Sequence, residues 1–207
     1  MGDPKFRRKT YSAPRHPWDK TRIDAENELV TKYGLKNKRE LWKSQATLAS
    51  FRTQARNLQA KMRVSDPNAR DVFQKLINRL NRYKILGNEA TLDDVLSLPI
   101  ESVLDRRLQT IVHKKSLART VKQARQLITH GHITLNGRRV NIPGVLVEGS
   151  NEESVQYFGR SPIADPDHPL RMSFEENQGR EEGPVAGGNA VPAPTEDTGS
   201  EIKKEGQ

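Results

Sequence analysis

Apolar residues in the first half of the chain return with the period of a long helix. After Asn37 they recur every seven residues, which places one apolar stripe along a single helix face. The stripe consists of Leu41, Leu48, Ala55 and Met62, with Phe51 and Leu58 beside it. Asn37 followed by Glu40 is a variant of the capping box and predicts where this helix begins. The other faces are basic, so the pattern predicts a charged rod with one buried side.

Three shorter helices are predicted around this rod. The first spans residues 23–33 and ends at Gly34, a residue that readily takes the left-handed conformation found after helices. A second begins at Asp66-Pro67, with Asp66 as N-cap and Pro67 in the first turn. A third opens at 91–94 and must end near residue 99, which is proline. The apolar positions of the second are Val72, Phe73, Leu76, Ile77, Leu80 and Tyr83.

Residues 104–131 continue the helical pattern in two segments separated by a turn at 115–119. Thr120 with Gln123 predicts the start of the second segment, which ends at Gly131. The inward face of the first segment comprises Leu104, Leu108, Ile111 and Val112. The inward face of the second comprises Val121, Ala124, Leu127 and Ile128. Together they predict a helix-turn-helix unit.

The period of the pattern then changes from 3.6 to 2, which is typical of β-strands. Apolar residues alternate before and after Asn136-Gly137, a strong signal for a type I′ hairpin turn. A weaker alternation over 155–158 predicts a third strand. The alternating residues are Ile133, Leu135, Val140 and Ile142. The fold class is therefore α+β, with an N-terminal helical unit followed by a helix-turn-helix plus β-hairpin module and a small antiparallel sheet.

Charge is distributed unevenly over the 207 residues, which carry a formal net charge of +9. The last 33 residues hold eight acidic and three basic side chains, so the first 174 residues have a net charge of +14. Low apolar content predicts a disordered acidic tail, and seven Lys and Arg in the first 22 residues predict an extended basic arm. A body this basic requires a polyanionic partner. Nucleic acid fits better than a membrane, because no basic helix has a broad exposed apolar face.

Several classes of chemistry are excluded by what the sequence lacks. It has no cysteine, which excludes disulfides, Cys-ligated zinc and thiol catalysis. No run approaches the roughly 18 apolar residues of a membrane span, so we expect a soluble, cytosolic protein. Nucleotide-binding and hydrolase motifs are absent, and His130 and His132 lack the Cys or carboxylate neighbours of a metal site. We therefore expect no catalysis, no cofactor and no metal.

Positive charge is densest over residues 105–147, which hold nine Lys and Arg against one acid, Asp105. On the second predicted helix, Lys122 and Arg125 lie three residues apart and should project from one face, away from the apolar side. The two helices and the hairpin thus predict one continuous basic surface suited to phosphates and to folded RNA. A similar row on the first predicted helix comprises Arg106, Thr110, His113 and Lys114.

These motifs carry a family resemblance. The most diagnostic stretch is ARTVKQARQLITHGHITLNGRRVNIPG, residues 118–144, which resembles the S-four RNA-binding module. The region before it includes YGLKNKRELWKSQATLASFRTQARNL, residues 33–58, which resembles the N-terminal region of the small-ribosomal-subunit proteins of this family in their archaeal form. The segment SPIADPDHP, residues 161–169, resembles their sequence after the module. The resemblance covers about residues 1–172.

The resemblance implies a structural constituent of the small ribosomal subunit that binds its rRNA directly, nucleates assembly of the subunit body and contributes to translational accuracy. It also implies that this chain contacts the neighbouring ribosomal protein number five. The chain is then expected to be a monomer within a ribonucleoprotein particle and to be located in the cytoplasmic ribosome. Some family members bind zinc through N-terminal cysteines, which this chain lacks. We expect a basic arm (1–22), a helical rRNA-binding domain (23–102), the module with a C-terminal extension (103–172) and an acidic tail (173–207).

The residues expected to contact RNA are basic positions of the arm, the long helix and the module. They are Arg7, Arg8, Lys9, Lys43, Arg52, Arg56, Arg106, Arg107, Lys114, Lys115, Arg119, Lys122, Arg125, His130, Arg138 and Arg139. Two other interpretations remain open. An RNA-modifying enzyme such as a pseudouridine synthase needs a catalytic domain of roughly 150 residues, whereas 60 follow the module. A free RNA chaperone is the other, and the long helical region counts against it.

Overall fold

The computed structural model describes residues 9–64 and 66–171. The first eight residues of the predicted arm and all of the predicted acidic tail, 173–207, lie outside the described residues. The described chain has the predicted α+β class, with helices first and a small antiparallel sheet after them. No helix in this part is both long enough and apolar enough to cross a bilayer.

Seven α-helices precede three short strands in the described part of the chain. The helices are α1 (Lys20–Lys32), α2 (Lys38–Arg63), α3 (Ala69–Arg82), α4 (Leu92–Ser97), α5 (Ile100–Leu104), α6 (Leu108–Lys114) and α7 (Val121–Thr129). The strands are β1 (Ile133–Leu135), β2 (Arg138–Arg139) and β3 (Gln156–Tyr157), with 3₁₀ turns at Gly149–Asn151 and Pro162–Ala164.

Local capping signals fix several of the helix boundaries. The Asn37 side chain accepts a hydrogen bond from the Glu40 backbone N–H (3.3 Å), which confirms the predicted start of α2. Gly34 follows α1 with a φ of +57°, as predicted. At α4, the side chains of Thr91 and Asp94 each bond the backbone N–H of the other, which completes a capping box.

The core of the helical unit is the predicted stripe of α2. Its middle packs against α3 and α4, while Leu41 belongs to a separate cluster with the end of α1 and Leu104. Burial of these side chains is the main force that holds the helices together, because a helix as short as α4 is marginal in water on its own. The main cluster includes Leu48, Phe51, Ala55, Leu58, Leu76, Ile77, Leu80, Val95 and Leu98.

Two expectations about α3 are wrong. The helix begins at Ala69, with Asn68 and not Asp66 at the N-cap position. The Asp66 carboxylate instead accepts a hydrogen bond from the Asn68 N–H (3.0 Å), a local turn that delays the helix. Val72, predicted to face inward, is 46% exposed, because the buried side of α3 lies over Leu76 and Leu80.

The second core is formed by α6, α7 and the sheet. β1 is the central strand and pairs antiparallel with both β2 and β3, so the predicted third strand over 155–158 is confirmed. Asn136 and Gly137 have φ values of 51° and 73°, the positive pair that a type I′ turn requires. The buried side chains of this second core include Leu108, Ile111, Val112, Ala124, Leu127, Ile128, Ile133, Val147 and Val155.

The predicted helix through residues 104–112 is broken. Residues 105–107 leave the helical path, and the backbone there pairs with a later segment: Leu108 N–H bonds Val145 C=O (2.8 Å) and Val147 N–H bonds Arg106 C=O (2.9 Å). The predicted row of Arg106, Thr110, His113 and Lys114 therefore does not form. Arg106 lies in the extended link, and Thr110 is buried with its hydroxyl donating to the Leu104 carbonyl.

Candidate nucleic-acid interface

Three basic side chains extend into solvent around the start of α7 and the hairpin. They are Arg119, which precedes the helix, Lys122 in its first turn, and Arg138 on β2. None of the three forms a salt bridge within residues 9–64 and 66–171. The helix start is held by Thr120, whose hydroxyl accepts from the Gln123 N–H (3.2 Å). These cations are positioned by rigid elements and remain available for an anionic ligand.

A fourth cation, the guanidinium of Arg139, is fixed at the corner between α7 and β1. Its Nη2 donates to the His130 carbonyl (3.0 Å), and its side chain crosses the face of Gly131. His132 is turned inward, with Nδ1 2.8 Å from the Ser161 hydroxyl. Burial lowers the pKa of His132, and the nearby charges of His130 and Arg139 lower it further. Of the two histidines, only His130 remains exposed beside Arg139.

Gly131 is required at this corner for two reasons, which two substitutions can separate. Its φ is +77°, and a Cβ would lie 2.0 Å from Nε of Arg139. Gly137 has a similar φ of +73° but nothing within 4 Å. Gly137→Ala should lower the free energy of unfolding by about 1 kcal/mol through backbone strain alone. Gly131→Ala should lower it further, by up to about 1 kcal/mol, because the Arg139 side chain must move and give up its hydrogen bond to the His130 carbonyl. Equal losses in chemical denaturation would show that Arg139 does not occupy this space.

A carboxylate joins the helical unit to the module. Glu40, in the first turn of α2, accepts from Nη2 of Arg107 (2.8 Å) and from both terminal nitrogens of Arg125 (2.6 and 3.0 Å). The Arg107 side chain is only 7% exposed, and those of Arg125 and Glu40 are 21% and 19% exposed. Burial acts to raise the pKa of Glu40, but the two guanidiniums outweigh it and hold that pKa below its usual value. We call this arrangement of Glu40, Arg107 and Arg125 the carboxylate joint.

The neutral side chain of Gln109 adds further hydrogen bonds beside the carboxylate joint. It is 1% exposed, and its amide nitrogen donates to the carbonyls of Gly34 (3.0 Å) and Val121 (2.9 Å). Its amide oxygen accepts from Arg125 (3.3 Å). A Cβ on Gly34 would come within 3.0 Å of the same amide and 3.1 Å of the Val121 side chain. The loop after α1 and the start of α7 are thus in direct contact.

Lys122 and Arg125 consequently do not share an outward face, contrary to expectation. Lys122 is exposed, whereas Arg125 is turned toward Glu40. Arg106 is also committed within the protein: its Nη2 lies 3.1 Å from Glu152 and 3.4 Å from the Val147 carbonyl. Arginines at these positions organise the module, because their charges are already compensated.

The two lysines at the end of α6 interact with different groups of the protein. Lys114 lies 3.3 Å from the Asp105 carboxylate, and both side chains are largely exposed. Lys115 donates to the Glu153 carbonyl (3.0 Å) and so ties the end of α6 to the chain that leads into β3. The ammonium of Lys114 is thus the more accessible of the two.

The long helix contributes cations of two kinds. Arg56 and Lys43 are exposed, and Lys43 lines a cleft of about 400 Å³ between α2 and residues 142–146. Arg52 is half-buried and donates to the Leu98 carbonyl (2.6 Å). In the arm, Lys9 lies 4.7 Å above the Tyr11 ring, while Arg7 and Arg8 lie outside the described residues.

Two residues at or beside the carboxylate joint have roles that the sequence pattern does not predict. The sequence predicts Glu40 only as part of the helix cap, and it gives no role to Gln109, which lies inside an apolar run. A lone amide among Leu108, Ile111 and Val112 is a usable signal, because a buried polar side chain must find partners. Among the described residues, no group of three or more His, Asp or Glu is placed to hold a metal ion.

Comparison of the sequence with known proteins identifies one family. The S4 domain family matches residues 106–153, which contain α6, α7 and the hairpin. The small ribosomal subunit protein uS4 of Thermoplasma volcanium is 62% identical over 174 residues, covering 84% of this chain and 87% of that protein. The uS4 protein of Picrophilus torridus is 61% identical over 183 residues, with coverages of 86% and 100%. That of Methanococcus maripaludis is 49% identical over 183 residues, with the same coverages.

The similarity extends well beyond the matched domain, over most of both chains in every pair. The relatives are archaeal, in agreement with the form of the family expected from residues 33–58. They are ribosomal proteins and not enzymes, which confirms the prediction of a chain without catalytic activity. The chain therefore belongs to the uS4 family of small ribosomal subunit proteins.

Proposed function

We propose that this protein binds small-subunit rRNA through the exposed cations of its module. One observation carries the proposal: Arg119, Lys122 and Arg138 are exposed and form no salt bridge within the described residues. Unneutralised cations grip RNA because phosphate contacts release condensed counterions. Arg139 and His130 extend this surface along the corner of the module. The relatives are named as proteins of the small ribosomal subunit, and these names support rRNA as the class of partner.

The remaining candidate residues take two roles in this proposal. Lys43, Arg56 and Lys114 add exposed cations, and the arm with Arg7, Arg8 and Lys9 adds a basic extension. The others shape the surface from inside, because each is held by a carboxylate or a backbone carbonyl. They are Arg52, Arg106, Arg107, Lys115 and Arg125.

The finer features of the proposal rest on the family resemblance. They are nucleation of the subunit body, contact with the neighbouring ribosomal protein number five, and a contribution to translational accuracy. In this role the chain works as one copy within the small subunit of the cytoplasmic ribosome. Shape recognition of folded RNA is the expected mode, since the basic surface is built from a helix start and a hairpin.

Competition binding tests the proposed function. The purified full-length protein is titrated with a transcript of the 5′ domain of small-subunit rRNA in about 0.3 M salt, with excess tRNA present. Salt at this level suppresses purely electrostatic association. We expect binding to the rRNA domain to persist. Equal displacement by tRNA would reduce the protein to a generic polycation and would contradict the proposal.

A further inference from the structure

The segment that precedes α1 carries a tryptophan whose side chain is exposed to solvent. Trp18 is 91% exposed, more than any other large hydrophobic side chain in the described part of the chain. A packed indole buries 150–250 Å² in typical proteins, roughly the largest apolar contribution of any residue. The second tryptophan, Trp42, is by contrast half-buried on α2. The two indoles of the chain are therefore in opposite environments.

The backbone that carries Trp18 is held on both sides. Nη2 of Arg22 donates to the carbonyls of His16 and Pro17, each at 3.0 Å. On the other side, the Asp19 carboxylate accepts from the Thr21 hydroxyl (2.8 Å) at the start of α1. Exposure of Trp18 is thus a property of an ordered loop.

Arg22, which holds this loop, is itself bound to other residues of the protein. Arg22 pairs with Glu26 (2.6 Å), a carboxylate that is 4% exposed between α1 and α2. Trp42 donates its indole N–H to Glu26 (3.2 Å), and Lys38 lies 3.4 Å away. The Tyr11 ring packs on Trp42 at a centroid distance of 5.9 Å, which fixes the preceding chain as well. The backbone that carries Trp18 is therefore anchored to a partly buried ion pair.

The surroundings of Trp18 suit a nucleobase better than a protein pocket. The hollow beside it is lined by His16, Pro17 and Asp19, so the described residues 9–64 and 66–171 form no continuous apolar patch around the ring of the kind used for protein docking. Arg15 and Lys20 are exposed within three residues, and the only acid between them, Asp19, already accepts from Thr21. A flat aromatic ring among cations is the usual platform for an unstacked base, because every base has a π-face.

We propose that Trp18 stacks on an unpaired base of the RNA partner, at a contact separate from the cations of the module. The inference rests on the proposed rRNA binding and adds a specific aromatic contact to it. The loop is held in position before binding, so little further ordering is needed when the base stacks. Arg15 and Lys20, both exposed and within three residues of Trp18 in sequence, supply positive charge for the adjoining phosphates.

Two substitutions separate stacking from simple apolar contact. Trp18→Phe keeps an aromatic face, whereas Trp18→Leu keeps apolar bulk without one. Affinity for the 5′-domain transcript should fall roughly 5- to 100-fold in Trp18→Leu and stay within about 3-fold in Trp18→Phe. Both variants should unfold like the wild-type chain, since the ring is exposed. In parallel, acrylamide quenching of tryptophan fluorescence is measured for the wild-type protein and for Trp18→Phe, with and without RNA. The difference between the two proteins reports Trp18, and we expect RNA to protect it from quenching.

Each alternative outcome has a distinct meaning. Wild-type affinity in Trp18→Leu, with Trp18 still open to acrylamide in the complex, would overturn stacking and leave the proposed rRNA binding intact. Equal losses in both variants would also overturn it, because they would indicate recognition of the indole shape or its N–H. Normal RNA binding with failure to enter reconstituted subunits would assign Trp18 to a protein contact. Absence of specific rRNA binding by the wild-type protein would remove the proposed function and this inference together.

Discussion

Replacing Glu40 by Ala is expected to lower the free energy of unfolding by about 3–5 kcal/mol. The carboxylate faces two guanidiniums at 2.6–3.0 Å, and one of them, Arg107, is almost fully buried. Removal of the carboxylate leaves two like charges close together in a largely buried site without an opposite charge. Because Glu40 belongs to α2 while Arg107 and Arg125 belong to the module, the loss should weaken the contact between the two halves. Chemical denaturation followed by circular dichroism measures the effect.

A matched ion pair on the surface provides the control. Lys32 and Glu101 lie 3.1 Å apart, but their side chains are 55% and 45% exposed. Glu101→Ala should therefore change the free energy of unfolding by less than about 1 kcal/mol. A double-mutant cycle of Glu40→Ala with Arg125→Ala then isolates the coupling across the joint. Glu40→Gln, which keeps the side-chain shape, serves if the alanine variant does not fold. Equal and small losses at Glu40 and Glu101 would contradict the assigned role of the joint.

Replacing Lys122 and Arg138 together by Ala should flatten the salt dependence of rRNA affinity by about 1.5 to 2 units of slope. Both side chains are exposed and form no salt bridge within the described residues, so the substitutions remove the proposed phosphate contacts without breaking internal salt bridges. Affinity at low salt should fall, and the free energy of unfolding should stay unchanged. The measurement is the slope of log affinity against log salt concentration for the 5′-domain transcript.

The control for this pair removes the same charge elsewhere. Lys32 and Lys84 have side chains 55% and 60% exposed but lie near Glu101 and Glu152. The Lys32→Ala and Lys84→Ala double variant lowers the net charge equally and should leave the slope nearly unchanged. The same flattening in both double variants would show that overall charge, and not the module surface, determines the binding.

Features that depend on neighbours in sequence could be predicted. The positive φ of Asn136 and Gly137, the cap at Asn37 and the capping box of Thr91 with Asp94 each arise within four residues. Apolar periodicity likewise located the cores of α2 and α7, because one buried face leaves a regular trace in the sequence.

Features that depend on distant partners could not be predicted in the same way. The break before α6 exists because Arg106 and Leu108 find backbone partners at 145–147, some 40 residues later. Charge alone also does not say what a cation binds. Arg125 and Lys122 look equivalent in the sequence, yet Arg125 meets a carboxylate 85 residues away and Lys122 meets solvent. The surface available to RNA is therefore narrower than the count of basic residues suggests.

Chemical footprinting of lysines and arginines tests the central claim most directly, that the exposed cations of the module form the rRNA interface. Side-chain modification rates are measured by mass spectrometry for the free protein and for its complex with the 5′-domain transcript. We expect Arg119, Lys122 and Arg138 to react readily in the free protein and to be protected in the complex, while Lys32 and Lys84 keep their rates. Undiminished reactivity of Lys122 and Arg138 in a saturated complex would contradict the account.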